Sequence, residues 1–260
     1  MKFNREEINF IACNLLNTHE RDQRCEFDPE PHEYRIDGIS YLSVSTIVSG
    51  FFPVFNPDEA IRKMKNGRYW NPAHRYWGIQ DFEIKQMWEE KGINASEKGT
   101  FLHEQIEKYY LDRKFEEPEE FKLFREFSGD HKFLEAYRTE WRIFDEEYGV
   151  AGTIDMVAKN GAEFEMYDWK RSLKVIDKIT GKAITENRWD QGFGMLKDID
   201  DTSYNQYCLQ QSIYRYILEQ NYEIEISKMY LVVLHPDYDQ YYKVEVPYLK
   251  DKVEYILSTL

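Results

Sequence analysis

The feature of this sequence that most constrains its fold is a stretch of alternating polar and apolar residues between positions 140 and 172. β-branched and aromatic residues recur there with a period of two, and Asn160-Gly161 interrupts the pattern as a turn. Three consecutive antiparallel strands are predicted. Helical patterns flank this stretch, and two later strands are predicted at residues 225–236 and 240–247. The sequence therefore predicts an α+β, three-layer α/β fold in which helices flank a central mixed β-sheet.

The N-terminal third is expected to be an extension of helices and one hairpin. Asp37-Gly38 lies between two short alternating runs within residues 32–43, which is a strong hairpin signal. The change of pattern predicts two parts, an extension of residues 1–95 packed on a core of residues 96–260. Residues 1–17 are interpreted as an amphipathic helix.

Turn residues and charge predict how the middle of the chain is connected. Gly92 is expected to end one helix and Ser96 to cap the next, longer one. Residues 116–120 are acidic and contain proline, so they are interpreted as a solvated connector. Residues 172–202 are expected to form a loop that is longer than usual and therefore functional or mobile.

Charge and cysteine usage bound the function. The 34 basic and 48 acidic residues give a formal charge of −14, which would repel nucleic acid. A nucleic-acid partner would therefore have to bind at a local basic patch or through bound cations. No apolar run approaches the roughly 18 residues of a membrane span, so no membrane partner is expected. Glu6 and Glu7 argue against a secretory signal, and three widely spaced cysteines argue against a disulfide framework. A cytoplasmic, non-secreted protein is expected.

Two carboxylates and a lysine form the first chemical signal. Asp168 and Lys170 alternate at the end of a predicted strand, so both side chains project from one face. Counting from the Asn160-Gly161 turn places residue 153 opposite residue 168 to within one register step, with Asp155 one same-face position away. Two neighbouring carboxylates repel each other unless a divalent cation such as Mg²⁺ or Mn²⁺ neutralises them. Taken singly, the Asp168 and Lys170 pair indicates a salt bridge at an exposed strand end.

The order of four motifs gives a more specific signal. Gly99 to His103, Asp155, Asp168-Trp169-Lys170 and Gln210 to Tyr214 follow one another in the chain. This order resembles the PD-(D/E)XK nuclease superfamily, within it the RecB-like and phage-type exonucleases, over about residues 95–220. The resemblance implies a restriction-endonuclease-like core. The proline of the family name is absent, because Ile154 precedes Asp155, and the four-cysteine cluster of the iron-sulfur branch is missing, so no iron-sulfur cluster is expected.

The resemblance implies a role for each motif residue. His103, Asp155 and Asp168 would be metal ligands, and the catalytic set would be Asp155, Asp168 and Lys170, with Lys170 orienting the attacking water. His103 taken alone indicates a core histidine under the helix. The resemblance makes Mg²⁺ or Mn²⁺ the expected cofactor.

Other residues are candidates for supporting roles. Gln210 and Tyr214 would position Lys170 or DNA, with plain helix packing as the alternative. Glu140 would either contact the metal ligands without binding the metal itself or be a surface acid. Glu107 lies one helical turn after the histidine and is either a further site residue or an exposed neighbour.

Basic residues interleaved with aromatic residues suggest how an acidic chain could reach DNA. Residues 62–77 contain Arg68 and Arg75 among other basic side chains, no acid, and four tyrosines or tryptophans. Basic groups could meet phosphates while rings stack on unpaired bases. The alternative is a solvated basic face with its aromatic rings in the core. A second positive stretch begins at the predicted site and contains Lys170, Arg171, Lys174, Lys178 and Lys182.

These patterns together predict a Mg²⁺-dependent deoxyribonuclease, a metal-dependent DNA exonuclease that hydrolyses phosphodiester bonds in DNA recombination, repair or viral genome processing. Its partner would be single- or double-stranded DNA in a bacterial or phage-infected cell. Further partners would be a second copy of the chain or a protein of recombination or repair. The chief alternative is a non-catalytic PD-(D/E)XK DNA-binding or scaffold subunit. A second alternative is an interaction protein in which the charged pairs are coincidental.

Overall fold

The computed structural model describes residues 13–260 of the chain. The helix expected at residues 1–17 lies largely outside this range. The elements, in chain order, are α1 Cys13–Leu16, a 3₁₀ helix Glu20–Arg24, β1 Cys25–Asp28, β2 Glu33–Ile36, β3 Ile39–Ser43, α2 Val44–Gly50, α3 Pro57–Lys65, α4 Asp81–Tyr110, α5 Phe121–Asp130, β4 Glu135–Asp145, β5 Val150–Asn160, β6 Glu163–Lys170, a 3₁₀ turn Gly194–Leu196, α6 Ser203–Asn221, β7 Ile226–Val233, β8 Tyr242–Val246 and α7 Lys250–Leu257.

All eight strands join one mixed sheet. Its order is β1-β2-β3-β5-β6-β7-β8, and β4 pairs with β5 beside this path. β3 pairs with β5 and β6 pairs with β7 in parallel, whereas the other pairs are antiparallel. The predicted fold class is confirmed: helices flank a central mixed sheet in an α+β, three-layer arrangement.

The three strands predicted from alternation are β4, β5 and β6. The predicted N-terminal hairpin is also present as β2 and β3, and its turn residues Asp37 and Gly38 have φ angles of 50° and 83°. Positive φ at both central positions is what a two-residue type I′ turn requires, and aspartate followed by glycine adopts it readily. β1, which was not predicted, adds a third strand to this hairpin.

The register of β5 against β6 differs by two residues from the symmetric count, which is the one same-face step that the prediction allowed. Asn160 pairs with Glu163 and Met156 with Tyr167, so the turn is centred between Gly161 and Ala162. Continuing this register places Asp155 level with Asp168. The regular ladder ends at Met156 and Tyr167, and beyond it the Trp169 N–H donates to Asp155 Oδ2.

Two apolar cores lie on the two faces of the sheet. On one face, α2, α6 and α7 pack residues such as Ile47, Ile213 and Val253 against the strands. On the other, the second half of α4 and all of α5 contribute a ring-rich core around Trp169, with Leu102 and Phe124. Burial of these faces is the main stabilising contribution to the fold.

The long helix α4 differs from the prediction. Residues Asp81–Tyr110 form one continuous helix, so Gly92 does not end it and Ser96 does not cap a new one. A glycine inside a helix costs only about 1 kcal/mol, which tertiary packing outweighs. Ile84 anchors the first half, and Leu102 and Ile106 anchor the second. The boundary predicted between residues 95 and 96 falls within this helix, and the division into extension and core stays a prediction.

None of the helices within residues 13–260 is long and apolar enough to cross a membrane. Between β6 and α6 the chain follows the long loop predicted at residues 172–202. It contains a 3₁₀ turn and two isolated bridges, Ile176 with Ala183 and Gln191 with Asp200. This loop starts directly after Lys170 and so borders the site described next.

Candidate metal-binding site

Three side chains from three elements converge at one point of the sheet. His103 comes from α4, Glu140 from β4 and Asp155 from β5. One ligand atom of each lies within 4.8 Å of the others. These residues are distant in sequence, and each is partly buried, with His103 exposing 26% of its side chain. The arrangement is open enough to admit a ligand and compact enough for one ion.

Glu140 occupies a strained position opposite Asp155. The neighbouring pairs Thr139 with Met156 and Trp141 with Ile154 fix the register, and they place Glu140 level with Asp155. Glu140 has a φ of 45°, which is rare for a residue with a side chain and costs about 1–3 kcal/mol. Strain of this kind is often found at functional sites. Sequence reasoning gave Glu140 a supporting role, whereas the structure includes it in the donor group.

Asp155 is held by two hydrogen-bonding neighbours. Its Oδ2 accepts the backbone N–H of Trp169 at 2.7 Å, where the ladder pairs of β5 and β6 end. The same oxygen lies 3.4 Å from His103 Nδ1. Burial alone would lower the pKa of His103, but the charge of Asp155 and this contact raise it to about 9. Burial alone would raise the pKa of Asp155, but the charge of His103 outweighs this and lowers that pKa.

Asp168 and Lys170 form a buried ion pair beside these donors. Asp168 Oδ2 lies 2.6 Å from Lys170 Nζ, but this oxygen is buried without a partner of hydrogen-bond geometry. Burial raises the pKa of Asp168 to about 6, despite the opposing charge of Lys170. Asp168 is not part of the donor group of His103, Glu140 and Asp155. Its role as a metal ligand stays a prediction.

The site carries more negative charge than its own side chains neutralise. Burial and the neighbouring charge of Asp155 raise the pKa of Glu140 to about 8. A divalent cation would relieve this repulsion, so the donor set fits a metal ion. Carboxylate oxygens suit Mg²⁺ and Mn²⁺, and the imidazole nitrogen makes Mn²⁺ the better match of the two.

Helix α6 covers the lysine side of the site. Gln210 donates a hydrogen bond from Nε2 to the Tyr214 hydroxyl at 3.0 Å, so these two predicted positioning residues contact each other. The Tyr214 ring packs against Gly152, leaving no room for a Cβ there. The residue of α6 that contacts Lys170 is Tyr207, whose ring centroid lies 4.3 Å from Nζ. Sequence reasoning missed Tyr207, although its spacing of three and seven from Gln210 and Tyr214 places all three on one helix face.

Two clefts of opposite charge meet at His103. The first, of about 440 Å³, is lined by Glu104, Glu107, Glu140 and Arg142 together with rings of β1 and β2. Glu107 therefore lies beside the site but outside the donor group. We call this the acidic cleft.

The second cleft, of about 250 Å³, has a different lining. It is bordered by Lys170 and Arg171 and contains no acid among its lining residues, which are Gly99, Thr100, His103, Trp169, Lys170, Arg171, Ser172 and Tyr207. We call this the basic cleft. A metal held by His103 and Asp155 would lie where the two clefts meet.

The predicted connector of residues 116–120 contains a buried acid. Glu120 exposes only 5% of its side chain and forms an ion pair with Arg171. The expectation of a solvated segment was wrong at this residue. The partner lies 51 positions along the chain, beyond the reach of local sequence patterns.

Arg68 and Arg75 are exposed, as the prediction of a DNA-binding segment requires. Each lies over a tyrosine ring, with Cζ 4.5 Å from the centroid of Tyr69 and 5.1 Å from that of Tyr76 respectively. The aromatic residues are divided, because Tyr69 and Trp77 are exposed whereas Tyr76 accepts a hydrogen bond from Trp88. Exposed arginines fit both interpretations of this segment, so a DNA-binding role stays a prediction.

Comparisons with known proteins add little to this geometry. No protein-family model matches the sequence, and no curated protein matches it. The solved structure described as "Crystal structure of SSO0001" aligns with 84% of this chain and 72% of its own chain, at 13% identity and a TM-score of 0.32. A superposition this loose carries no argument, so the site is interpreted from its own residues.

Proposed function

We propose that this protein is a metal-dependent nuclease of PD-(D/E)XK, RecB-like type that hydrolyses phosphodiester bonds in DNA. The observation that carries the proposal is the convergence of His103, Glu140 and Asp155 within 4.8 Å, next to the ion pair of Asp168 and Lys170. The order of the same residues along the chain supports it independently. Cytoplasmic action in recombination, repair or viral genome processing is part of this proposal.

The residues of the site would have separate roles in phosphodiester hydrolysis. A divalent cation bound by His103, Glu140 and Asp155, joined by Asp168, would polarise the phosphate and lower the pKa of a water. Lys170 is held near the donors by Asp168 and the ring of Tyr207, and its pKa is raised because these contacts outweigh its burial. Its ammonium therefore stays charged, orients the attacking water and stabilises the charge that develops on the phosphate oxygens. Water adds to phosphorus as the bond to the leaving oxygen breaks, the water loses a proton to solvent, and the leaving oxygen takes one up from solvent.

A larger cleft elsewhere does not support this chemistry. It measures about 850 Å³ and lies at the other end of β6, near Glu163. Its lining contains Glu163, Glu219, Glu223 and Glu225 against a single arginine. Such a lining repels a polyanion, so the nuclease proposal concerns the smaller clefts beside His103.

The experiment that tests the proposal is incubation of the purified protein with end-labelled linear, circular and single-stranded DNA in Mg²⁺, Mn²⁺ or EDTA. Shortening of linear DNA, an intact circle and no reaction in EDTA are expected. Asp155→Asn and Lys170→Ala should lower the rate by at least about 100-fold, because each removes a group acting on the reacting phosphate. Lys250→Ala, at an exposed lysine of α7, is the matched control. Full activity of Lys170→Ala in Mg²⁺ would refute the assigned mechanism.

The alternative of a DNA-binding scaffold predicts a different result. In that case the wild-type protein would bind DNA without degrading it in any metal. A divalent cation would then still raise the melting temperature if the donors bind it. Absence of both cleavage and any effect of metal on melting would favour an interaction protein instead.

A further inference from the structure

Arg171 has a position in the basic cleft that the proposed chemistry does not use. It directly follows Lys170 at the end of β6 and lines the same cleft. Its side chain exposes only 11% of its surface, which is unusual for an arginine. A charged side chain this buried requires a partner.

The partner of Arg171 is the buried carboxylate of Glu120. Arg171 donates from Nε to Glu120 Oε1, and Glu120 exposes 5% of its side chain at the start of α5. This contact fixes the plane of the guanidinium and occupies its inner edge. Because the pair is buried, the arginine is oriented before any ligand arrives.

The outer edge of the same guanidinium is unoccupied. Within residues 13–260, the two terminal nitrogens of Arg171 have no hydrogen-bond partner, and neither is shut off from solvent. Two parallel N–H donors on a fixed plane match two oxygens of a phosphate. Ser172, next in the chain, also lines the cleft.

We propose that Arg171, oriented by Glu120, forms a binding subsite for a phosphate of the nucleic-acid strand next to the one that is cleaved. The proposal rests on the nuclease function for the identity of the ligand, a phosphodiester strand. The strand backbone then passes from His103 into the basic cleft, away from the carboxylates of the acidic cleft. Glu120 acts as a positioning residue and does not touch the strand.

The experiment measures binding of a fluorescein-labelled single-stranded oligonucleotide by anisotropy in EDTA, over a range of salt concentrations. Arg171→Gln should weaken binding about fivefold near 0.1 M salt and lower the salt slope by about 0.7, as expected for one lost phosphate contact. Glu120→Gln removes a competing anion, but its amide oxygen can still accept the hydrogen bond from Arg171 Nε and keep the guanidinium oriented. Binding should therefore stay equal or become tighter. A purely structural ion pair predicts equal weakening in both variants, and that result would overturn the proposal.

Two controls complete the design. Arg215→Gln makes the same charge change at an arginine that also pairs with a glutamate, Glu219, but lines the cleft at the other end of β6. It should leave affinity and slope unchanged. Arg171→Gln leaves Glu120 buried alone, so melting is measured in parallel. If that variant does not fold, the double variant Glu120→Gln/Arg171→Gln replaces it, with the same loss of affinity expected.

Failure of this proposal differs from failure of the nuclease proposal. If the protein cleaves DNA but Arg171→Gln binds with unchanged affinity and slope, only the subsite is wrong. If no metal supports cleavage but binding still depends on Arg171, the subsite stands and the nuclease proposal is wrong. If the wild-type protein does not bind the oligonucleotide in EDTA or in Mg²⁺, both are overturned.

Discussion

At the scale of single residues, Glu140 combines two unfavourable features at one point. Its φ of 45° strains the strand, and its carboxylate is half-buried opposite Asp155. The regular pairs on both sides, Thr139 with Met156 and Trp141 with Ile154, hold it there. A residue kept in such a position at the expense of stability is understandable when its charge is needed for binding a cation.

Glu140→Gln is expected to stabilise the metal-free protein, and more so as pH rises. Burial and Asp155 raise the pKa of Glu140 from 4.5 to about 8. Between these values the unfolded chain ionises while the folded protein must bind a proton, so the wild-type protein loses stability as pH rises. The gain from the neutral amide should therefore grow by about 3–4 kcal/mol between pH 5 and pH 8. Urea unfolding of both proteins in EDTA measures it, and a gain independent of pH would contradict the assigned cause.

Gly152 is required by the helix packed above it. An added Cβ would lie 2.9 Å from the Tyr214 hydroxyl and also overlap its ring. Gly152→Ala should destabilise the protein by about 1–3 kcal/mol, because a buried ring has little room to move. Gly92→Ala is the matched control, since nothing lies within 4 Å of its added Cβ and alanine favours the helix by about 1 kcal/mol. Thermal melting should shift in opposite directions for the two variants.

At the scale of elements, one face of helix α6 places the side chains of Tyr207, Gln210 and Tyr214 against the sheet. Tyr207 contacts Lys170, while Gln210 and Tyr214 bind each other one turn further along. The helix thus fixes the lysine from above, and Asp168 fixes it from its own strand. The ring of Tyr207, rather than its hydroxyl, faces the ammonium.

This geometry predicts different effects for two substitutions at Tyr207. Tyr207→Phe keeps the ring and should retain activity within about twofold, whereas Tyr207→Leu should lower kcat about tenfold, the loss of a desolvated cation–π contact. KM should change less than kcat, because the ring contacts the Lys170 ammonium, although it also lines the basic cleft. Steady-state rates on linear DNA measure both, and equal activity of the two variants would contradict the assigned role. Circular dichroism confirms that both fold.

The accuracy of the sequence reasoning varied with the range of the interactions involved. Alternation, together with the enrichment in β-branched and aromatic residues, identified β4, β5 and β6, although β5 and β6 bury side chains on both faces of the sheet. The turn was misplaced, since Asn160 ends β5 and the turn itself is Gly161-Ala162. A glycine signal at position 92 was overruled by packing that local patterns do not encode. The pairs of Glu120 with Arg171 and of Glu140 with Asp155 depend on how distant segments meet, so they could not be read from spacing.

At the scale of the whole molecule, β6 connects two ends of opposite charge. One end lies at the four glutamates of the 850 Å³ cleft, and the other at Lys170 and Arg171. The strand has eight residues and so separates these ends by about 25 Å, well beyond the screening length of about 8 Å at physiological salt. A chain of net charge −14 can therefore attract a polyanion at one end while repelling it at the other.

The segment of residues 62–77 provides the last test of this charge arrangement. Arg62 and Lys63 are paired with Glu59, and Lys65 with Asp81. Arg68 and Arg75 form no ion pair within the described residues. They are therefore the basic side chains of this segment whose charge is available to a strand, beside the exposed rings of Tyr69 and Trp77.

The double variant Arg68→Glu/Arg75→Glu is expected to weaken binding of single-stranded DNA and to lower its salt slope by about 1.4, two phosphate contacts at 0.7 each. Arg35→Glu/Lys250→Glu makes the same charge change at two exposed residues outside the segment and is the matched control. If steering by net charge alone brings DNA to the protein, both variants should weaken binding equally. A larger effect of the first variant would instead assign binding to the segment. Unchanged affinity and slope in the first variant would mean that residues 62–77 are a solvated face, and that the strand reaches the basic cleft without them.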